Sequence, residues 1–244
     1  MPNNHIHLNA SHDRSSESGN VIFFILLAIV LVALITAAVR GTGEGGDIDN
    51  ETLAIRVSEV REYTNEIERG LRFIMHDGAS ETEIRFAHPD APAAYGTITN
   101  TPTRQVFSNS GGGVQYRTPD PAISSAANWE FYGSTHLPGV GTDDASLEEA
   151  ELIAVLPDVT QAFCAKVNQI NGYDEATQPI DTTGTCIYSG TSLRFSSSAG
   201  FAASGAADNV NDATFTIRPA MQGCVSCNAS GTSDFHFFHV LMAR

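Results

Sequence analysis

The chain has 244 residues, 42% of them hydrophobic, which is enough to bury a sizeable core and too few for more than two ordinary domains. With 13 Lys+Arg against 28 Asp+Glu its formal net charge is −15, so phosphate backbones and anionic headgroups are repelled over most of the surface and nucleic acid is excluded as a partner. Lysine occurs once, at Lys166, while Ser, Thr, Asn and Gly are abundant after residue 77, a composition common in exported β-rich proteins.

Residues 1–19 are polar and close on Gly19; they lack apolar periodicity and read as a leader that is disordered or removed. From Val21 to Val39 there is no charge and Thr36 is the one polar residue. As a helix this run spans about 28 Å, close to the hydrocarbon thickness of a bilayer. It predicts a membrane helix over 20–40, with a secretory signal as the rival, although the run is longer than a usual signal core. Arg14 and Arg40 nearly cancel in a positive-inside count. The acidic flank Glu44, Asp47, Asp49, Glu51 and the downstream cysteines set the C-terminal side outside the cytoplasm.

Gly41-Thr42-Gly43-Glu44-Gly45-Gly46 predicts a hinge over 41–49, because glycine is a poor helix former. Leu53, Val57, Val60, Thr64, Ile67, Leu71 and Ile74 then recur at intervals of four and three, one face of a helix over 50–77. Asp49 or Asn50 is placed to cap its start and Gly78 to end it. The stripe fits a helix laid on a sheet or a short coiled coil.

The region 78–244 reads as β-rich. Short runs at Glu83–Ala87, Gly96–Thr99, Gln105–Phe107, Val114–Arg117, Trp129–Tyr132, Glu151–Leu156, Ala213–Arg218 and Phe235–Met242 predict strands of an antiparallel sheet, with Phe235, Phe237, His239 and Leu241 on one face of the last. A second helix is expected from Pro157 to Val167, with proline in its first turn. The fold class is α+β: an N-terminal membrane helix continuing into an amphipathic helix packed on an antiparallel β-sheet head.

Four cysteines, Cys164, Cys186, Cys224 and Cys227, allow three pairings, and proximity in sequence favours Cys164 with Cys186 and Cys224 with Cys227. Cys224-Val225-Ser226-Cys227 has redox-motif spacing, but Gly223 before it and the polar run after it predict a loop disulfide rather than a reactive helix-start thiol. Zinc lacks two further soft ligands, since His236 and His239 alternate faces of a strand. The acidic loops Asp143-Asp144 and Asp208-Asn209-Val210-Asn211-Asp212 offer weak calcium candidates in Asp208, Asn211 and Asp212, without EF-hand spacing. No nucleophile-elbow, metalloprotease or phosphate-loop motif occurs, so neither an enzyme nor a cofactor is predicted.

The leader ending in glycine, the run Ser18-Gly19-Asn20-Val21-Ile22-Phe23-Phe24-Ile25-Leu26-Leu27-Ala28-Ile29, the amphipathic helix and the β-rich head together resemble the type IV pilin and type II secretion pseudopilin superfamily. Gly19-Asn20-Val21-Ile22-Phe23 is also similar to the opening of a group of bacterial pilin-like proteins. The resemblance implies cleavage by a prepilin peptidase between Gly19 and Asn20, with Asn20 as the new N-terminus and the site of methylation. It implies bundling of the N-terminal helices, at Val21, Phe24, Ala28, Ala33 and Ala37, with copies of this chain or other pilin-like subunits. The usual glutamate at the fifth mature position is Phe24 here, which resembles minor, tip-located members rather than a major subunit. The implied location is the inner membrane, single-pass with a periplasmic head, or an extracellular filament. Two alternatives stand beside this reading: a membrane-anchored periplasmic binding protein, and a thiol oxidoreductase using Cys224 and Cys227.

Overall fold

The computed structural model describes residues 18–41, 44–141, 150–173, 179–181, 186–187, 194–196, 200–201, 220–227 and 234–244, with side chains in the first helices described for 22–34 and from 49 onward. The expected strand Ala213–Arg218, the acidic loops with Asp208, Asn211 and Asp212, and the leader before Ser18 lie outside these residues. The chain divides into two compact units, Met1–Asn50 and Glu51–Arg244.

In the first unit, helix α1 runs from Ser18 to Gly41 and is apolar on every side, with no amphipathic stripe. All its described side chains, residues 22–34, are exposed; Phe23 is 61% and Leu34 62% accessible. Among the described residues no helix is long and apolar enough to cross a membrane. Helix α2 begins at Glu44 and ends at His76. Helical backbone therefore occupies most of the expected 41–49 hinge, and the start expected at Asp49 or Asn50 is corrected to Glu44.

The second unit is α+β. The α2 stripe is as the spacing predicts: Val57, Val60, Thr64, Ile67, Leu71 and Ile74 are buried and Leu53 packs at their edge, while Glu59, Glu62 and Arg72 are exposed. Gly78, at φ +90°, ends the helix, its N–H donating to the Met75 carbonyl and the next to that of Ile74. Thr64 is a buried polar residue satisfied locally, its hydroxyl donating to the Val60 and Arg61 carbonyls.

Strands β1 (Glu130–Thr135), β2 (Glu151–Leu156), β3 (Ile180–Asp181), β4 (Gln222–Cys227) and β5 (Asp234–Met242) form one sheet in the order β1-β2-β5-β4-β3. Four strands pair antiparallel, and the two-residue β3 adds parallel to β4 at the edge. Both faces are covered. On one face Phe131, Leu152, Ala154, Leu156, Cys224, Phe237 and Leu241 join the α2 stripe and helix α3 (Gln161–Ile170) in the larger core. On the other, Tyr132, Ile153, Val155, Val225, Phe238 and Val240 pack with Leu137, Val140 and Ile187. Period-two alternation along β2, β4 and β5 divides the residues between these two cores.

Three expectations are corrected. First, the runs Glu83–Ala87, Gly96–Thr99, Gln105–Phe107 and Val114–Arg117 are not strands; they are irregular chain and 3-10 turns, joined by a single parallel bridge between Arg85 and Gln105. Gly96 at φ +90°, Thr101 at φ +49° and Pro102 break the backbone before a ladder extends. Their aromatics form a cluster instead: Phe86 stacks on Phe131 with ring centroids 4.0 Å apart, and Phe107 and Tyr116 meet edge to face. The apolar residues of three of these runs, Ile84, Phe86, Val106, Phe107, Val114 and Tyr116, are buried for packing, which β-propensity registers without regard to pairing. Second, α3 starts at Gln161 rather than Pro157, because the Thr160 hydroxyl caps it, accepting from the Phe163 N–H at 3.3 Å, and Asp158 sits at φ +50°. Third, Cys224–Cys227 forms the last four residues of β4, not a loop between strands.

Candidate functional site

Two features stand out, the N-terminal helix and the cysteines of β4. Along α1, Ile22, Phe23, Phe24, Ile25, Leu26, Leu27, Ala28, Ile29 and the residues to Leu34 all present their side chains outward. No carboxylate lies among them, and position 24 is a phenylalanine. Ala28 and Ala33 are exposed on this helix, while the side chains at Val21 and Ala37 lie outside the described set. Gly19 and Asn20 fall in the first turn of α1.

The cysteine pairing differs from expectation. Cys186 is bonded to Cys227, with Cα atoms 5.7 Å apart, and Cys164 and Cys224 are buried thiols. The pairs Cys164–Cys186 and Cys224–Cys227 are thereby overturned. Residues three apart on a strand point to opposite faces, so Cys224 enters the larger core and Cys227 the smaller one. That alternation also removes the basis of a Cys224–Cys227 redox pair. Burial pushes the Cys224 thiol up, and the hydrogen-bonded Cys164 thiol beside it pushes it further, which keeps it protonated and unreactive.

His236 joins Cys186 and Cys227 in a cluster whose candidate ligand atoms lie within 4.8 Å of one another, a juxtaposition that sequence spacing did not reveal. With both sulfurs joined in a disulfide, the thiolates that zinc requires are absent from the cluster. His236 Nδ1 accepts the Asp158 N–H at 3.0 Å; burial lowers the imidazole's affinity for a proton, and Asp158 and Asp234 oppose that shift. His239 faces the other core, with Nε2 3.2 Å from Glu68 of α2, and burial likewise lowers it against the pull of Glu68. The two histidines are on opposite faces, as strand alternation predicts.

A buried ionic triad ties the irregular region to β1. Arg194 Nε donates to Glu130 Oε2 at 2.6 Å and a second guanidinium nitrogen donates to Oε1, while the Tyr95 hydroxyl donates to Oε2 at 2.8 Å. The Phe131 N–H donates to that same hydroxyl at 2.8 Å. The hydrogen bond to Glu130 raises Arg194 further above its ordinary range. Sequence gave no signal for this triad, whose members are 35 and 64 residues apart. Beside α2, a groove of about 360 Å³ is lined by Arg56, Tyr63, Arg117, Asp120 and Trp129 among others. Its arginines are internally satisfied: Arg56 pairs with Asp120, and Arg117 pairs with Glu66 at 2.6 Å and lies over the Tyr63 ring.

No family model, curated protein or solved structure matches the chain.

Proposed function

We propose that this protein is a pilin-like or pseudopilin-like structural subunit of an extracellular filament or secretion apparatus, a minor component without chemistry of its own. The observation that supports it is the all-round apolar exposure of α1 from Ile22 to Leu34. A helix apolar on every side is stable only when surrounded by lipid or by other helices. In the proposed cycle the run Val21–Val39 holds the subunit in the inner membrane, with the head in the periplasm. A prepilin peptidase removes the leader after Gly19, and the helix then passes into a bundle. Small residues at Ala28, Ala33 and Ala37 allow close approach of neighbouring helices. Phe24 lacks the carboxylate that would pair with a neighbour's N-terminal amine, which favours a place at a filament's end or surface.

N-terminal mass spectrometry on protein isolated from a host with a prepilin peptidase tests this reading. A mature chain starting at Asn20 is expected. A chain that retains its leader, from Met1, would overturn it, and filaments built from this subunit alone would overturn the minor role.

A second reading, a membrane-anchored periplasmic binding protein, is favoured by the groove at Tyr63 and Trp129. It predicts an anchored protein that never co-purifies with sheared filaments.

A further inference from the structure

We infer that Cys164 and Cys224 close into a second disulfide in the mature protein, so that β4 is stapled on both faces: to Cys186 through Cys227, and to α3 through Cys224. Cys164 and Cys224 are both fully buried in the larger core. They face each other closely enough for one thiol to hydrogen bond to the other. The facing is enforced one helical turn away. Asn168, four residues after Cys164 and on the same side of α3, donates from Nδ2 to the Cys224 carbonyl at 3.1 Å and accepts the Cys224 N–H at its Oδ1 at 3.0 Å. One amide thus fixes both backbone groups of Cys224 against α3. The remaining two cysteines are already joined, so this is the one pairing left open within the chain.

The inference rests on the exported-head reading for its oxidant. Closing the bond removes one proton and one electron from each thiol. The acceptor is the disulfide of an oxidised thiol–disulfide oxidoreductase, which leaves as a dithiol after a mixed disulfide with one of the two cysteines. Because both thiols are sealed in the folded core, exchange takes place before α3 docks on β4. A compartment that oxidises Cys186 and Cys227 oxidises this neighbouring pair as well. The two bridges interleave along the chain, in the order Cys164, Cys186, Cys224, Cys227. Cutting either one leaves the intervening segment tethered by the other.

Tryptic mapping of the full chain tests it, with alkylation under denaturing, non-reducing conditions after export in a bacterial host. Cleavage after Arg117, Lys166 and Arg194 puts Cys164 on 118–166, Cys186 on 167–194, and Cys224 with Cys227 on 195–244, since Arg218 precedes a proline. The expected product is one species of all three fragments, unalkylated, in which backbone fragmentation at Val225 or Ser226 assigns 118–166 to Cys224 and 167–194 to Cys227. If 167–194 remains joined to 195–244 while Cys164 and Cys224 are alkylated, this inference fails and the exported reading stands. Alkylation of every cysteine would overturn both. A link from Cys164 to Cys186 or Cys227 would overturn the pairing.

Discussion

The backbones of Gly70 in α2 and Gly112, in the run Gly111-Gly112-Gly113, meet with no side chain between them. A Cβ built on either residue would lie 3.1 Å from the other's carbonyl oxygen. A Cβ on Gly70 would also collide with the Val114 side chain, and one on Gly112 would come within 2.6 Å of the Val106 carbonyl. Glycine in a helix interior costs about 1 kcal/mol relative to alanine, so Gly70 is retained against propensity. Gly70→Ala and Gly112→Ala should each destabilise the head by about 1–3 kcal/mol, measured by denaturant titration, because the new methyl meets the buried, β-branched Val114 side chain at Gly70 and the Val106 backbone at Gly112. A rise in stability for Gly70→Ala would show that the loop does not press on the helix.

The Glu130–Arg194 pair should behave as a buried ion pair. Side-chain exposure is 15% for Arg194 and 5% for Glu130. Arg194→Met leaves the carboxylate with Tyr95 alone and should cost about 3–5 kcal/mol, whereas the double change with Glu130→Gln should cost less. A double-mutant cycle on thermal unfolding reads the coupling, and additive effects would contradict it.

Acid should weaken the head through His236 and His239. Burial depresses both below the ordinary 6.5, so the unfolded chain binds protons first as pH falls. Their contribution is fully present above about pH 6.5 and is lost progressively as pH falls from there towards the folded values. Between pH 7 and 5 the melting temperature should drop by about 2–4 °C for each kcal/mol lost. The variants His236→Gln and His239→Gln should flatten this acid limb relative to the parent. An unchanged slope in both would remove the histidines as its cause.

Asn168→Ala should leave the N–H and carbonyl of Cys224 without partners in the larger core. Each stranded group costs about 1–3 kcal/mol, so the loss should be visible as a lower unfolding midpoint. Hydrogen exchange at Cys224 should speed up in that variant, while exchange on β2 stays unaltered.

The legible parts of the fold were those with long, regular signals. The α2 stripe and the inward alternation of β5 each repeat one period over enough residues to define the element, and β2 is a continuous apolar run of strand length. The segment 83–117 misled because its apolar residues serve an aromatic cluster around Phe86 and Phe131, and burial alone resembles a strand. The cysteine pairing misled for a related reason. Cys224 and Cys227 are neighbours in sequence, but a strand sends them to different cores, and Cys186 and Cys164 arrive from distant positions. The Glu130–Arg194–Tyr95 triad depends wholly on tertiary approach and carries no local pattern.

β5 follows every other strand among the described residues yet lies between β2 and β4 at the middle of the sheet. The β1–β2 hairpin and β4 have no contact ladder with each other until it arrives. During synthesis the head therefore cannot complete its sheet while residues up to Met242 are still inside the ribosome. It also means that an interrupted product lacking β5 has unpaired strand edges on both β2 and β4, and is marked for proteolysis or aggregation rather than for partial use.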